Sequence, residues 1–175
     1  MMDIETTCRA PLGTRRPCAR GRLGKEEMTR LLDPCEEISG IEQLRHIMEE
    51  SQPDGLAGTL DIRLVEIEEG RVVVEATPGL HVYNPVGSVH GGFIASMLDY
   101  ACGYSVMSSQ GPGESFTTLE LKVSYHKAIK HTTGPVRAEG RILSIGRRVA
   151  FTEAKLTDAS GKLYASATSS LLLCS

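Results

Sequence analysis

Between Ile41 and Glu50 the apolar residues Ile41, Leu44, Ile47 and Met48 recur at helical spacing, with Ser39 placed as an N-cap and Pro53 and Gly55 as terminators. The pattern predicts a short amphipathic helix over about residues 40–51. The period then drops to two. Leu60, Ile62 and Leu64 alternate with Asp61 and Arg63, Glu68-Glu69-Gly70 supplies a turn, and Val72-Val73-Val74 opens a second strand, which together predict a hairpin. Residues 79–89, rich in Gly, Pro, Asn and Ser, read as a loop. They lead into Gly91–Met107, the most apolar stretch of the chain, which is too short and too interrupted by Asp99 for a comfortable membrane span. It reads as a helix buried on nearly all sides.

A helix that is apolar all round must be wrapped, and the remainder of the chain offers only strands to wrap it. From Phe116 to Tyr125 the sequence alternates, with Leu119, Leu121, Val123 and Tyr125 on one face and Thr118, Glu120, Lys122 and Ser124 on the other. Three further runs, 136–144, 149–157 and 163–172, are separated by short turn sequences and predict an antiparallel meander. Two strands, a long helix and four strands make an α+β pattern, in which a sheet curls around a central helix.

Composition narrows the function without choosing it. Nineteen Lys+Arg against 22 Asp+Glu give a net charge of -3, so no basic excess points to nucleic acid, and 41% hydrophobic residues suit a globular chain. Cys8, Cys18, Cys35, Cys102 and Cys174 are odd in number and scattered, which predicts neither a zinc cluster nor a disulfide framework and favours a reducing, cytoplasmic setting. Arginines and prolines interrupt residues 1–23, so no secretory signal is read there. Residues 1–35 are expected to form a disordered leader and residues 36–175 a single domain, with its core over about 55–173.

Two features carry chemistry. His90-Gly91-Gly92 opens the apolar helix, and a helix that begins on glycines presents unpaired N–H groups with the positive end of the dipole behind them, able to polarise a carbonyl oxygen. The same glycines would equally permit tight packing of helix against sheet. Asp99, in the middle of the apolar helix, must be paired, solvated by a cavity or used. At about 1.5 Å and 100° per residue, Asp99 lies about 12 Å along the axis from Gly91 and on a different face. One copy therefore cannot bring both to one bond, and a shared site requires a second subunit related by a two-fold axis.

His90-Gly91-Gly92 with Asp99 nine positions after the His and Asn84 six before it resembles the hotdog-fold acyl-CoA thioesterases of the PaaI type. Thr117-Thr118-Leu119-Glu120-Leu121, Gly146-Arg147-Arg148-Val149-Ala150 and Thr157-Asp158-Ala159-Ser160-Gly161-Lys162 extend the resemblance over about residues 55–173. It implies a long central helix wrapped by a curled antiparallel sheet, an acyl-CoA substrate, no cofactor or metal, no nucleic-acid or membrane partner, and a homodimer within a homotetramer. It further implies that the Gly91 amide, helped by Asn84, holds the thioester oxygen, that Asp99 of the facing subunit is nucleophile or general base, and that Thr118 orients water. His90 is expected to position the loop. Arg147 and Arg148 in a turn, and Lys127, are candidates for the CoA phosphates, although the turn is equally readable as a solvated one. His126-Lys127-Ala128 departs from the arginine-containing pair the family often carries there.

Two other functions fit less well. A ligand-binding domain without turnover would not need Asp99, Asn84 and His90-Gly91 together. An enoyl-thioester hydratase would need an acid and a His where Val82 and Gly87 stand.

Overall fold

The computed structural model describes residues 38–49 and 55–174. The leader expected over 1–35, with Cys8, Cys18 and Cys35, lies outside them. Helix α1 (Gly40–Glu49) starts at the expected cap. The Glu42 carboxylate accepts from the Ser39 N–H at 2.9 Å and its Oγ–H at 2.7 Å, and the Ser39 carbonyl accepts from the Glu42 and Gln43 N–H groups. A short helix, α2 (Gly55–Thr59), follows where no helix was expected. Its sequence GLAGT has two glycines and poor helix propensity, and the burial of Ala57 compensates.

The expected hairpin forms as β1 (Arg63–Glu68) and β2 (Arg71–Ala76), and the central helix α3 spans Gly91–Met107. Strands β3 (Ser115–Tyr125), β4 (Val136–Ile145), β5 (Val149–Asp158) and β6 (Leu163–Cys174) complete one six-stranded sheet in the order β1-β2-β4-β5-β6-β3, with every pair antiparallel. The sheet curls around α3 in the hotdog arrangement. β4, β5 and β6 form the expected meander, and β3 lies at an edge with β6 as its neighbour.

α3 buries Phe93, Ile94, Met97, Leu98, Ala101 and Cys102 against Val72, Val74, Ala138, Ala154, Leu156 and Ala165 of the sheet. Small side chains on β4–β6 let the helix lie close, and the closest approach is at Gly140 of β4, where a Cβ would sit 2.0 Å from the Ala101 carbonyl oxygen. Backbone cannot yield as a flexible side chain does. Gly140→Ala is therefore expected to destabilise the fold by about 3 kcal/mol or more, the upper range for overpacking, read as a lowered denaturant midpoint at unchanged m-value.

α3 is not buried all round. Ser96, Asp99, Tyr100 and Tyr104, at positions one turn apart, form a half-buried stripe left uncovered by the sheet. β3 also departs from simple alternation. Thr118 pairs with Leu171 but the next partnered residue is Glu120, opposite Ser170, so Leu119 is an extra residue that shifts the register. Leu119, expected on the face of Leu121, is 46% exposed. Because of this shift Phe116 and Thr118 face the helix before it, and Leu121 and Val123 after it.

The outer sheet face carries charge. Arg71 reaches Glu66 at 2.8 Å, Glu68 at 3.0 Å and Glu139 at 2.7 Å, and hydrogen bonds from Arg71 and then Arg137 hold the Glu66 carboxyl below its ordinary range. Cys102 is a free, buried thiol pushed up to about 11 by burial, and so unsuited to act as a nucleophile. No helix among the described residues is long and apolar enough to cross a membrane.

Candidate active site

The loop before α3 is built by Asn84. Its Oδ1 accepts from the Val86 N–H at 3.1 Å and the Ser88 N–H at 3.2 Å, and its Nδ2 donates to Ser88 Oγ at 3.1 Å. Gly87 takes the left-handed conformation at φ 85°, which favours glycine. The Asn84 contacts thus lie within the loop, where the resemblance implied a hand in holding substrate. The loop is anchored by the Val89 N–H on the Ile129 carbonyl at 3.0 Å and the His90 N–H on the Val82 carbonyl at 2.8 Å.

His90 is the N-cap of α3, and its Nδ1 accepts from the Gly92 N–H at 2.8 Å. The bond supplies one of the unpaired N–H groups of the helix start with an acceptor. The Gly91 carbonyl accepts from the Tyr125 hydroxyl at 2.9 Å. The Gly91–Gly92 peptide is thereby pinned at both ends. The N–H of Gly91 makes no hydrogen bond among the described residues and stands at the positive end of a 17-residue helix. Of the two glycines, Gly91 is the one with a donor to offer. A Cβ on Gly91 would lie 3.2 Å from the Tyr125 ring, a tight approach that a small shift of that half-exposed ring would relieve.

Asp99 sits two turns along α3, half-buried, and its Oδ1 accepts from Thr118 Oγ1 at 3.2 Å. Burial pushes the Asp99 carboxyl above its ordinary value, and the Thr118 bond pulls against that. Both residues line a cavity of about 280 Å³ whose other walls are largely apolar, with Leu56, Tyr100, Tyr104 and Phe116 among them. Thr118→Val removes the group that stabilises the charged carboxylate. The acid limb of the kcat/KM profile is then expected to move to higher pH, a shift measurable across a buffer series at unchanged fold.

Gly91 and Asp99 do not converge within one chain, as helical geometry required. The candidate phosphate ligands separate likewise. Arg148, whose carbonyl accepts from the Leu173 N–H, lies with Arg147 in the β4–β5 turn, beside the start of β3. Lys127 follows the other end of β3, its N–H on the Tyr164 carbonyl. The two groups are thus a strand length apart, on the order of 30 Å at ~3.3 Å per residue. All three side chains are exposed. Tyr125, Tyr100 and Tyr104 were not among the residues singled out by sequence. The i, i+4 spacing of Tyr100 and Tyr104 beside Asp99 was the available signal for those two.

One long helix wrapped by a curled antiparallel sheet is the fold of the hotdog thioester hydrolases. The chain belongs to the thioesterase superfamily, whose sequence profile matches residues 86–165, from the loop before α3 into β6. The 1,4-dihydroxy-2-naphthoyl-CoA hydrolase of Listeria monocytogenes is 32% identical over 109 residues, 62% of this chain and 87% of that protein. A phenylacetic acid degradation-related protein from Ralstonia eutropha superposes with a TM-score of 0.66 at 28% identity, over 76% of this chain and 98% of that one. A Streptococcus mutans protein solved with acetyl-CoA bound shares the fold, with a TM-score of 0.61 at 24% identity, over 73% of this chain and 95% of that one.

Proposed function

We propose that the protein hydrolyses an acyl- or aryl-CoA thioester to the free acid and CoA. The observation that carries this reading is the Asp99–Thr118 pair at the apolar cavity, on the same helix whose first amide is left open. The naphthoyl-CoA hydrolase relative and the acetyl-CoA held by the Streptococcus mutans structure support CoA as the thiol.

The reading gives each group a step. The Gly91 N–H donates to the thioester oxygen, where negative charge grows as the carbonyl carbon becomes tetrahedral. In the general-base route, Asp99 takes a proton from a water oriented by Thr118, the oxygen adds to the carbonyl carbon, and the tetrahedral species collapses with loss of the CoA thiolate. The thiolate then takes the proton from Asp99, so R-CO-S-CoA and water become acid and thiol. In the nucleophilic route, the Asp99 carboxylate attacks the carbonyl carbon and the C–S bond breaks with loss of the CoA thiolate, leaving a mixed anhydride. Water then hydrolyses it to the free acid and the restored carboxylate, and the proton released goes to the thiolate. The raised pKa of Asp99 suits a base that must both take and return a proton. His90 and Asn84 act by fixing the loop and helix start, and no step is assigned to a metal or redox group.

Two subunits complete the site in this reading. β3 is an 11-residue edge strand with one side unpaired in the sheet order. Antiparallel pairing of two β3 edges about the strand centre sets the Tyr125 end of one subunit, which holds Gly91, beside Thr118 and Asp99 of the other. The same operation brings Lys127 of one subunit toward the Arg147–Arg148 turn of its mate, a cationic group suited to CoA phosphates.

The test is thiol release across a panel of acyl- and aryl-CoA substrates, with the acid product identified. Equimolar free thiol and acid are expected. Tight binding with no thiol released would favour a ligand-holding domain, and a hydrated thioester product would favour a hydratase.

A further inference from the structure

The aromatic residues of the α3 stripe take no part in the chemistry above, yet they occupy a telling position. The cavity that contains Asp99 has a volume of about 280 Å³. A second cavity of about 120 Å³ lies between α1, α2, β1 and α3, with Ile47, Ala57, Ile62, Leu64 and Val74 in its walls. The residues common to both linings are Tyr100 and Tyr104. They sit one turn apart on α3, with ring centroids 5.3 Å apart and planes inclined by 57°. Tyr100 is half-buried, and Ala57 of α2 stands beside the pair in the wall of the second cavity. Both spaces open toward solvent, and Arg63 also lines the second, so the two form one discontinuous groove interrupted at the pair of rings.

We propose that the Tyr100–Tyr104 pair is a partition that ends the acyl pocket and so sets the length of acyl group accepted, the second cavity being the space a longer chain enters when the partition is opened. The proposal takes its ligand class from the thioesterase reading, but the partition itself stands on the two cavities. Asp99 and Thr118 lie on the near side of the rings and Ile47, Ile62 and Val74 on the far side. A chain that outgrows the near cavity must therefore displace a tyrosine to bury more of itself.

The experiment measures binding of S-alkyl-CoA thioethers of increasing chain length by calorimetry, since these analogues cannot be hydrolysed. In the parent protein affinity is expected to rise with each methylene and then level off where the chain reaches the rings. Tyr104→Ala removes one ring, and affinity is expected to go on rising past that length, by about fourfold per further buried methylene. Tyr104→Phe keeps the ring and is expected to keep the parent limit. Ile47→Phe added to Tyr104→Ala fills the far cavity and is expected to restore it. Should Tyr104→Ala fail to fold, Tyr104→Leu opens the partition in part, and its limit is expected to move outward by a smaller step. A folded Tyr104→Ala or Tyr104→Leu protein with the parent limit overturns the partition. Binding intact with no thiol release from matching thioesters overturns the hydrolase reading while the partition result stands, and no binding of any thioether overturns both.

Discussion

Replacing Asp99 by Asn is expected to lower kcat by about 10²–10⁴-fold, the range contributed by a positioned acid–base group, with little change in affinity for a non-hydrolysable CoA thioether. The variant keeps the shape of the side chain and a partner for Thr118 Oγ1 while removing the carboxylate that either route requires. It carries a second expectation of opposite sign. Because the folded protein holds the Asp99 proton more tightly than the unfolded chain, the parent loses stability as pH rises from the ordinary carboxylate range through the raised folded value. Asn has no charge to bury, so Asp99→Asn is expected to melt higher than the parent at neutral pH and to lose that advantage on acidification. Thermal denaturation of the two proteins across a pH series checks this. An inactive variant that is also less stable at neutral pH would mean the carboxylate is held for structure instead of reaction.

Gly91→Pro is expected to lower kcat by about 10²–10³-fold, the effect of removing one oxyanion donor. Position 91 is the first residue of α3, where proline is well tolerated because that N–H has no partner within the helix. His90 already has the extended conformation proline demands of the residue before it, with φ -64° and ψ 137°. The new ring must push aside the Tyr125 ring, which is 53% exposed and, among the described residues, tethered only through its hydroxyl to the Gly91 carbonyl. Circular dichroism should therefore show an intact fold. If each centre takes Gly91 from one subunit and Asp99 from the other, mixing the two inactive variants under subunit exchange makes hybrids with one intact centre and one doubly damaged. Random reassociation then gives back about a quarter of the parent activity. Two variants that stay inactive when mixed, although exchange is shown by mass, would place both groups outside a common centre.

The sequence pattern located what is buried on a regular period. α3 was bounded at Gly91 and Met107 because an apolar run began at a His-Gly-Gly start and ended where polarity returned, and β4 to β6 were bounded by their turns. Asp99 stood out because nothing else in that helix is charged. Features that depend on a departure from period were not visible. The alternation of residues 116–125 is unbroken in sequence, so the extra residue at Leu119, which lets Thr118 and Leu121 face the same side, could not be read from it. Thr118 was reached only through the family resemblance, and the fold sets its hydroxyl 3.2 Å from Asp99 Oδ1. Helix α2 has weak local propensity and is held by tertiary contact, which sequence periodicity does not report. The hydrogen bond from Tyr125 to Gly91 joins residues 34 apart in the chain, and only the fold brings them together.

The near-contact of Gly140 with Ala101 divides the molecule into parts that tolerate change differently. Helix and sheet meet there peptide to peptide, with no side chain between them to trim or swap, so the spacing of the chassis is fixed. The lining on the opposite side of α3 consists of side chains that can be resized one at a time. Attempts to retune this protein toward new thioesters should therefore succeed by altering that lining, while changes along the seam should abolish the protein before they alter its selectivity.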